Sequence, residues 1–164
     1  FDSRATVVRV GGILYGLGDD VLPNGVERPD LRAVMSLHTR IAFLKKVAAG
    51  EGIGYGRTFT TNRESVIATL PIGYHDGLPR SLSNVGRVIV NGRYAPIVGR
   101  ISMDWTTIDV TDVPNVSTDD EVTLIGAQSD SIIKAEEIAS LMGTISYEVT
   151  CGIGQRVRRT YAFS

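Results

Sequence analysis

The chain has 164 residues, 43% of them hydrophobic, with 17 basic and 18 acidic side chains and a formal net charge of -1. That apolar fraction suffices for the core of one ordinary domain without disulfides or metals, and the near-neutral balance argues against a nucleic-acid binder. No apolar run approaches the ~20 residues that span a bilayer, and no charged-then-apolar leader opens the chain.

The opening residues 5–10, Ala-Thr-Val-Val-Arg-Val, read as a strand with nothing upstream to pair with; together with Phe1 in place of methionine this suggests a fragment of a longer protein. Val10-Gly11-Gly12-Ile13-Leu14-Tyr15-Gly16 then reads as a tight turn and short helix, and residues 17–29, rich in Gly, Asp, Pro and Asn, as a linker. Met35, Leu37, Thr39, Ile41 and Phe43 alternate with Ser36, His38, Arg40 and Ala42, the period of a strand with one buried face.

Residues 65–70 and 86–90 are further strands, and Asn91-Gly92 before residues 94–98 marks a hairpin, because both residues tolerate the positive φ of a type I′ turn. Residues 106–110, 121–125, 145–150 and 155–163 supply more strands. One helix is expected over 133–142, where Ala135, Ile138, Ala139 and Met142 form an apolar stripe and Gly143 is placed to cap it. The expected fold is mainly β, a closed or nearly closed barrel with one main helix, an arrangement that removes exposed edges.

On residue type alone the chemistry is sparse. The sequence carries no metal-ligand cluster and no phosphate loop with its lysine, and neither His38 nor His75 lies in a catalytic motif. The single Cys151 has no partner; a reducing, cytoplasmic compartment and a small buried hydrophobe are the simplest readings. Three tyrosines stand in distinctive segments, Gly52-Ile53-Gly54-Tyr55-Gly56-Arg57-Thr58-Phe59, Pro71-Ile72-Gly73-Tyr74-His75-Asp76-Gly77 and Thr144-Ile145-Ser146-Tyr147-Glu148. A buried phenol usually only hydrogen-bonds a carbonyl, so residue type by itself stops at a β-barrel module.

These segments, with Val8-Arg9-Val10-Gly11-Gly12-Ile13-Leu14-Tyr15-Gly16-Leu17 before them and Pro96-Ile97-Val98-Gly99-Arg100-Ile101-Ser102-Met103-Asp104 between, closely resemble alanine racemase in order and spacing. The resemblance covers almost the whole chain. It implies a two-domain subunit: an N-terminal (β/α)8 barrel that holds the lysine binding pyridoxal 5′-phosphate, and a C-terminal β-domain lying over the barrel mouth of the other subunit of a homodimer. Residues 1–29 would then be the end of the barrel and a linker, residues 30–164 the C-terminal domain, and the isolated fragment inactive.

By the same resemblance Tyr55 is the catalytic tyrosine, acting in trans in the interconversion of L- and D-alanine and also touching substrate. Racemisation removes a proton from one face and returns it to the other, so acid/base groups are needed on both; lysine and tyrosine would share the work. A phenol ordinarily titrates near pH 10, so this role calls for positive charge beside it. Arg9 corresponds to the arginine facing the cofactor's pyridine nitrogen, where a permanently protonated guanidinium leaves that nitrogen uncharged. Gly11, Gly12 and Tyr147 correspond to groups holding the cofactor phosphate. Met103 corresponds to a residue whose N–H faces the substrate carboxylate; Tyr74, Arg80, Arg100 and Ile145 line the corridor to the cofactor, with Asp104 as a structural partner. His75 departs from the family's usual alanine beside the corridor tyrosine.

Two other readings stand beside this one. A non-catalytic dimerisation or binding module on the same scaffold would be favoured by loss of Tyr55 or Arg9, and both are present. The C-terminal domain of a related barrel-type decarboxylase would carry a cysteine in an acidic segment, and Cys151 does not sit in one.

Overall fold

The computed structural model describes residues 6, 7, 9–20, 22, 25, 27 and 29–162. It is mainly β, with ten strands and two helices among the described residues. In chain order these are β1 (Leu37–Arg40), β2 (Phe43–Val47), β3 (Gly52–Ile53), β4 (Phe59–Thr60), β5 (Ser65–Leu70), β6 (Arg87–Val90), β7 (Arg93–Pro96), β8 (Thr106–Asp109), β9 (Glu121–Gln128), β10 (Ser131–Ile133), α1 (Ala135–Met142) and α2 (Ser146–Cys151).

The strands form three antiparallel sheets rather than one closed ring. The largest runs β1-β9-β6-β7 with β10 added to β9, the second runs β2-β5-β8, and β3 pairs with β4. Two corners join the first two sheets. The Ile41 N–H bonds Asp120 O at 3.0 Å while the next residue, Ala42, bonds Thr69 O at 2.9 Å, so the chain changes sheets between them. An isolated bridge pairs Ile97, beyond β7, with Ile108 of β8. The expected single strand over residues 35–43 is therefore two. Leu37 and Ile41 are buried as their alternation predicts, but Phe43 lies past the corner and is exposed. Period-2 patterning reports the inward face only within one continuous strand, and it does not mark where the backbone bends to change sheets.

The two sheets enclose the main core, with Leu70, Ile89, Ile97, Ile108 and Leu124 almost fully buried and Ile138 of α1 packed onto it, while Ile53, Ile67 and Val98 form a smaller cluster. The Asn91-Gly92 hairpin forms as its sequence requires: Val90 pairs with Arg93, and Asn91 and Gly92 adopt φ of 49° and 75°. α1 is capped by Gly143, whose left-handed φ of 72° lets its N–H reach Ser140 O at 3.3 Å and the Thr144 N–H reach Ala139 O at 3.0 Å. The helix starts at Ala135, two residues later than expected, because Ile133 completes the β10 edge and Lys134 is extended.

Three other expectations are corrected. Residues 146–151 are helical: Ser146 and Val149 are buried at i, i+3 spacing, and the Asp20 carboxylate receives the Ser146 N–H at 2.5 Å. The β-branched and aromatic content of 145–150 suggested a strand, and burial of one helical face prevailed. Residues 155–162 form turns and irregular backbone, with the carbonyls of Ile153, Gly154 and Val157 accepting from the Arg159 side chain; Phe163 lies outside the described residues. Thr6, Val7, Arg9 and Val10 take no strand, while Ala5 and Val8 lie outside the described residues. The turn and short helix expected next are a 3-10 turn over Gly11–Tyr15. Among the described residues no helix is long and apolar enough to cross a membrane.

Candidate functional site: two separate cavities

The predicted site residues fall into two groups on different cavities. The first cavity, about 430 Å³, is lined by Gly11 and Gly12 from the 3-10 turn, by the β9–β10 hairpin and by Tyr147 and Thr150 of α2. The Gly12 N–H donates to the Tyr147 hydroxyl at 2.7 Å, and Gly11 holds a left-handed φ of 62°. A Cβ at Gly12 would fall 2.4 Å from Tyr147 Oη and 2.5 Å from Cζ, so only glycine admits this contact. Cys151, expected to be buried, is instead exposed and lies on the rim of this cavity.

Contacts to the preceding segment fix Tyr147. The Asp20 carboxylate accepts the Ser146 N–H and, at 2.9 Å, the Ser146 hydroxyl, while the Gly18 N–H reaches Glu136 of α1 at 3.4 Å. Lys134 pairs with Asp19 at 2.9 Å, and this neighbour raises the ammonium's pKa. Residues 18–20 are thereby tied to both helices.

The second cavity, about 470 Å³, is lined by Tyr55, Tyr74, Arg80, Arg100, Met103, Asp104 and Trp105 together with Ile101 and Ser102. Tyr55 sits on a 3-10 turn between Gly54 and Gly56, both at φ of 71°, and is 75% exposed. Gly54 packs on the backbone of Gly99 and Arg100, leaving 2.9 Å between its would-be Cβ and Arg100 N; the Arg100 Nε lies 4.0 Å from the point a Gly56 Cβ would occupy. Two guanidinium groups, those of Arg80 and Arg100, therefore share a cavity with the Tyr55 phenol. Ser102 and Trp105 close a turn through the Ser102 hydroxyl, which donates to Trp105 O and accepts the Trp105 N–H, both at 3.0 Å. That turn holds Met103 outward, and among the described residues its N–H has no protein acceptor.

Arg156 lies behind this cavity. Its Nε and Nη2 bond the Asp76 carboxylate at 2.5 and 3.0 Å, and Nη2 also reaches Asp104 at 2.5 Å. The hydrogen bond from Arg156 holds the Asp76 carboxyl below the usual carboxylate range; partial burial opposes this and the Gly73 N–H adds to it. The two carboxylates in turn strengthen the protonated state of Arg156.

Arg9 and Ile145 join neither cavity in this chain; both are exposed, and Ile145 precedes α2. His75 is exposed and its N–H bonds Met103 O at 3.1 Å. Sequence reasoning did not single out Trp105, Asp20 or Arg156. Trp105 is the chain's one tryptophan and directly follows the Met103-Asp104 motif, a signal that could have been used. Asp20 and Arg156 act on partners 126 and 80 positions away and carry no local signature. No group of three or more His, Cys, Asp or Glu side chains able to hold a metal occurs among the described residues.

The fold and these cavities define a β-rich domain presenting a glycine–tyrosine contact on one cavity and a tyrosine–arginine cluster on another. Residues 34–161 match the family described as alanine racemase, C-terminal domain, and the chain belongs to that family. It is 53% identical over 157 residues to the alanine racemase of Halothermothrix orenii, covering 94% of this chain and 40% of that protein. Among solved structures it is similar to alanine racemase from Bacillus anthracis with bound L-Ala-P, with TM-score 0.82, 42% identity and coverage of 90% and 37%. It is also similar to the Bartonella henselae alanine racemase with covalently bound pyridoxal phosphate, with TM-score 0.83, 37% identity and coverage of 93% and 40%. The chain thus spans about two-fifths of the length of these relatives.

Proposed function

We propose that this chain is the C-terminal part of a pyridoxal-phosphate-dependent alanine racemase of the cytoplasm, acting as a homodimer to supply D-alanine for peptidoglycan, and that it contributes Tyr55 to the active site of the partner subunit. Residues 1–29 belong to the end of a (β/α)8 barrel and its linker, and residues 30–164 to the C-terminal domain. The observation that carries the reading is the separation of the two cavities. The glycine–tyrosine contact and the catalytic phenol do not share a cavity in one chain, and Tyr55 is 75% exposed, whereas proton transfer at carbon proceeds in a site closed to water. A second subunit covers Tyr55 and brings it to a cofactor.

The residues present fit that cofactor. The Gly11 and Gly12 N–H groups and the Tyr147 hydroxyl would hold its phosphate, at a place where a Cβ on Gly12 would intrude and where the Gly12 N–H donates to Tyr147 Oη in this structure, and Arg9 would donate to the pyridine nitrogen. Bound there, the cofactor supplies an electron sink for the pair left at the α-carbon. Tyr55 Oη removes the α-proton on its face in one direction and returns it in the other, while a lysine of the upstream domain serves the opposite face. Arg80 and Arg100 line the same cavity as Tyr55. The outward Met103 N–H binds the substrate carboxylate, and Tyr74, Arg80, Arg100 and Ile145 border the approach to it.

The test is Tyr55→Phe in the complete enzyme, which keeps the ring and deletes the proton-exchanging group. Turnover should fall by about 10²- to 10⁴-fold. Because the two enantiomers have equal energy in water, kcat/KM falls equally in both directions, and the two-base asymmetry is read from kcat and from α-deuterium isotope effects. Normal turnover in Tyr55→Phe removes the catalytic role. Mixing subunits carrying Tyr55→Phe with subunits lacking the cofactor lysine should restore some activity, since one site of the heterodimer then has both groups; mixtures that exchange subunits yet stay inactive overturn the assignment in trans.

A further inference from the structure

We infer that Arg156 is a positioning residue for substrate binding: by bridging Asp76 and Asp104 it locks the Tyr74 turn and the Met103 loop into one rigid wall of the second cavity. The inference rests on the proposed roles of Tyr74 and Met103 and adds a residue that itself stands outside the cavity lining.

Three segments distant in sequence meet here. The Tyr74 turn is closed by Asp76, whose carboxylate accepts the Gly73 N–H at 2.9 Å and whose own N–H reaches Gly73 O at 3.0 Å. The front of the turn is sewn to the Met103 loop by backbone, from Tyr74 N–H to Ser102 O at 3.0 Å and from His75 N–H to Met103 O at 3.1 Å. A Cβ on Gly73 would sit 2.3 Å from Ser102 O, so the two segments are already in close backbone contact. Those bonds alone leave a hinge, because they lie along one edge of the turn. Arg156 supplies the second line of attachment: two bonds to Asp76 on the turn and one to Asp104 on the loop, from a single planar guanidinium. Arg156 is itself anchored, since the Gly154 N–H bonds Asp76 O at 2.9 Å and the Gly77 Cα faces Gly152 O too closely to admit a Cβ.

An ordinary surface ion pair would not have this form. Arg63–Asp112 is one, a single contact between two largely exposed side chains. Asp76, by contrast, is only 7% exposed and satisfied on both oxygens, and its guanidinium partner serves two carboxylates on separate segments. The Met103 N–H belongs to the peptide whose carbonyl, Ser102 O, accepts from Tyr74, and Asp104 follows directly, so releasing Arg156 leaves the loop held to the turn along the backbone line only, free to tilt about it, and weakens substrate binding before it alters the proton-transfer step.

The experiment uses the complete enzyme with Arg156→Met, Arg156→Lys, Asp104→Ala and, as a control for mere loss of an ion pair, Arg87→Gln, which breaks the Arg87–Glu137 pair between β6 and α1. KM for both alanine enantiomers should rise about tenfold or more in Arg156→Met and Asp104→Ala, with kcat and bound cofactor little changed and Arg156→Lys intermediate. Arg87→Gln should lower the melting temperature and leave KM where it was. Wild-type KM in the two clamp variants, or an equal KM rise in Arg87→Gln, overturns the inference. If Arg156→Met fails to fold, Asp104→Ala decides, since it removes the acceptor on the loop and keeps the Arg156–Asp76 pair. Tyr55→Phe measured in parallel separates the two ideas: an inactive Tyr55→Phe beside unmoved KM in the clamp variants rejects the clamp alone, whereas normal turnover in Tyr55→Phe rejects the catalytic role of Tyr55 and leaves the clamp to be judged by KM.

Discussion

The Gly12 N–H and the Tyr147 hydroxyl meet at 2.7 Å across 135 positions of sequence, and the missing Cβ of Gly12 is what lets them meet. One end of the contact belongs to a 3-10 turn and the other to α2, so the contact exists only because the turn is held against the helices.

Gly12→Ala follows directly. Its methyl would overlap Tyr147 Oη and Cζ, and the ring must move away from the turn. In the complete enzyme, overpacking of this kind should lower stability by about 1 to 3 kcal/mol. Pyridoxal phosphate affinity should fall with it, more than in Tyr147→Phe, which loses one hydroxyl but keeps the ring in place. Cofactor titration of the apoenzyme together with denaturant unfolding measures both effects, and unchanged affinity would remove the contact from the cofactor site.

Asp20→Ala should loosen the same site from the other side. Ile145, which precedes α2, offers no side-chain cap, and the Asp20 carboxylate takes both the N–H and the hydroxyl of Ser146. Loss of such a terminal acceptor costs about 1 kcal/mol of stability. Since Tyr147 is the next residue, cofactor affinity should fall as well, and Asp20→Asn should recover most of it because an amide oxygen can still accept. A stability loss with cofactor affinity untouched would limit Asp20 to the helix.

A pH series tests the Asp76–Arg156 pair. The guanidinium depresses the folded carboxyl below its unfolded value, so the resulting stability is complete above the ordinary carboxylate pKa of about 3.9 and is lost as pH falls through the lower folded value. Thermal unfolding of the native protein and of Asp76→Asn should differ most near neutrality, and the gap should narrow only below about pH 4. A gap constant down through that range would mean that the pair does not carry the difference.

Much of the fold was legible because its determinants are local. The Asn91-Gly92 turn, the alternation leading into Leu37 and Ile41, and the α1 stripe ending at Gly143 are each specified within a few residues, through backbone sterics and a single inward face. The candidate site was expected from a family resemblance carried by the order and spacing of its motifs, which set Tyr74, Arg80, Arg100 and Ile145 along a corridor beside Tyr55 and Met103; the structure gathers all of these except Ile145 on one cavity.

Other features are decided only by tertiary structure. The bend after Ile41 that sends β2 to a second sheet leaves no mark on a period-2 pattern: the apolar alternation runs on through Phe43, yet past the corner Phe43 is exposed and Leu44 packs against the core. Residues 146–151 have the composition of a strand and fold as a helix because Asp20 receives the first N–H and the core accepts the Ser146–Val149 face. Residues 155–162 read as a strand, yet the Arg156 and Arg159 side chains bind groups on neighbouring loops where a ladder would otherwise form. Nor does the sequence assign the motifs to two cavities: residue order is one-dimensional, whereas the division depends on which surface each loop faces after the sheets have packed.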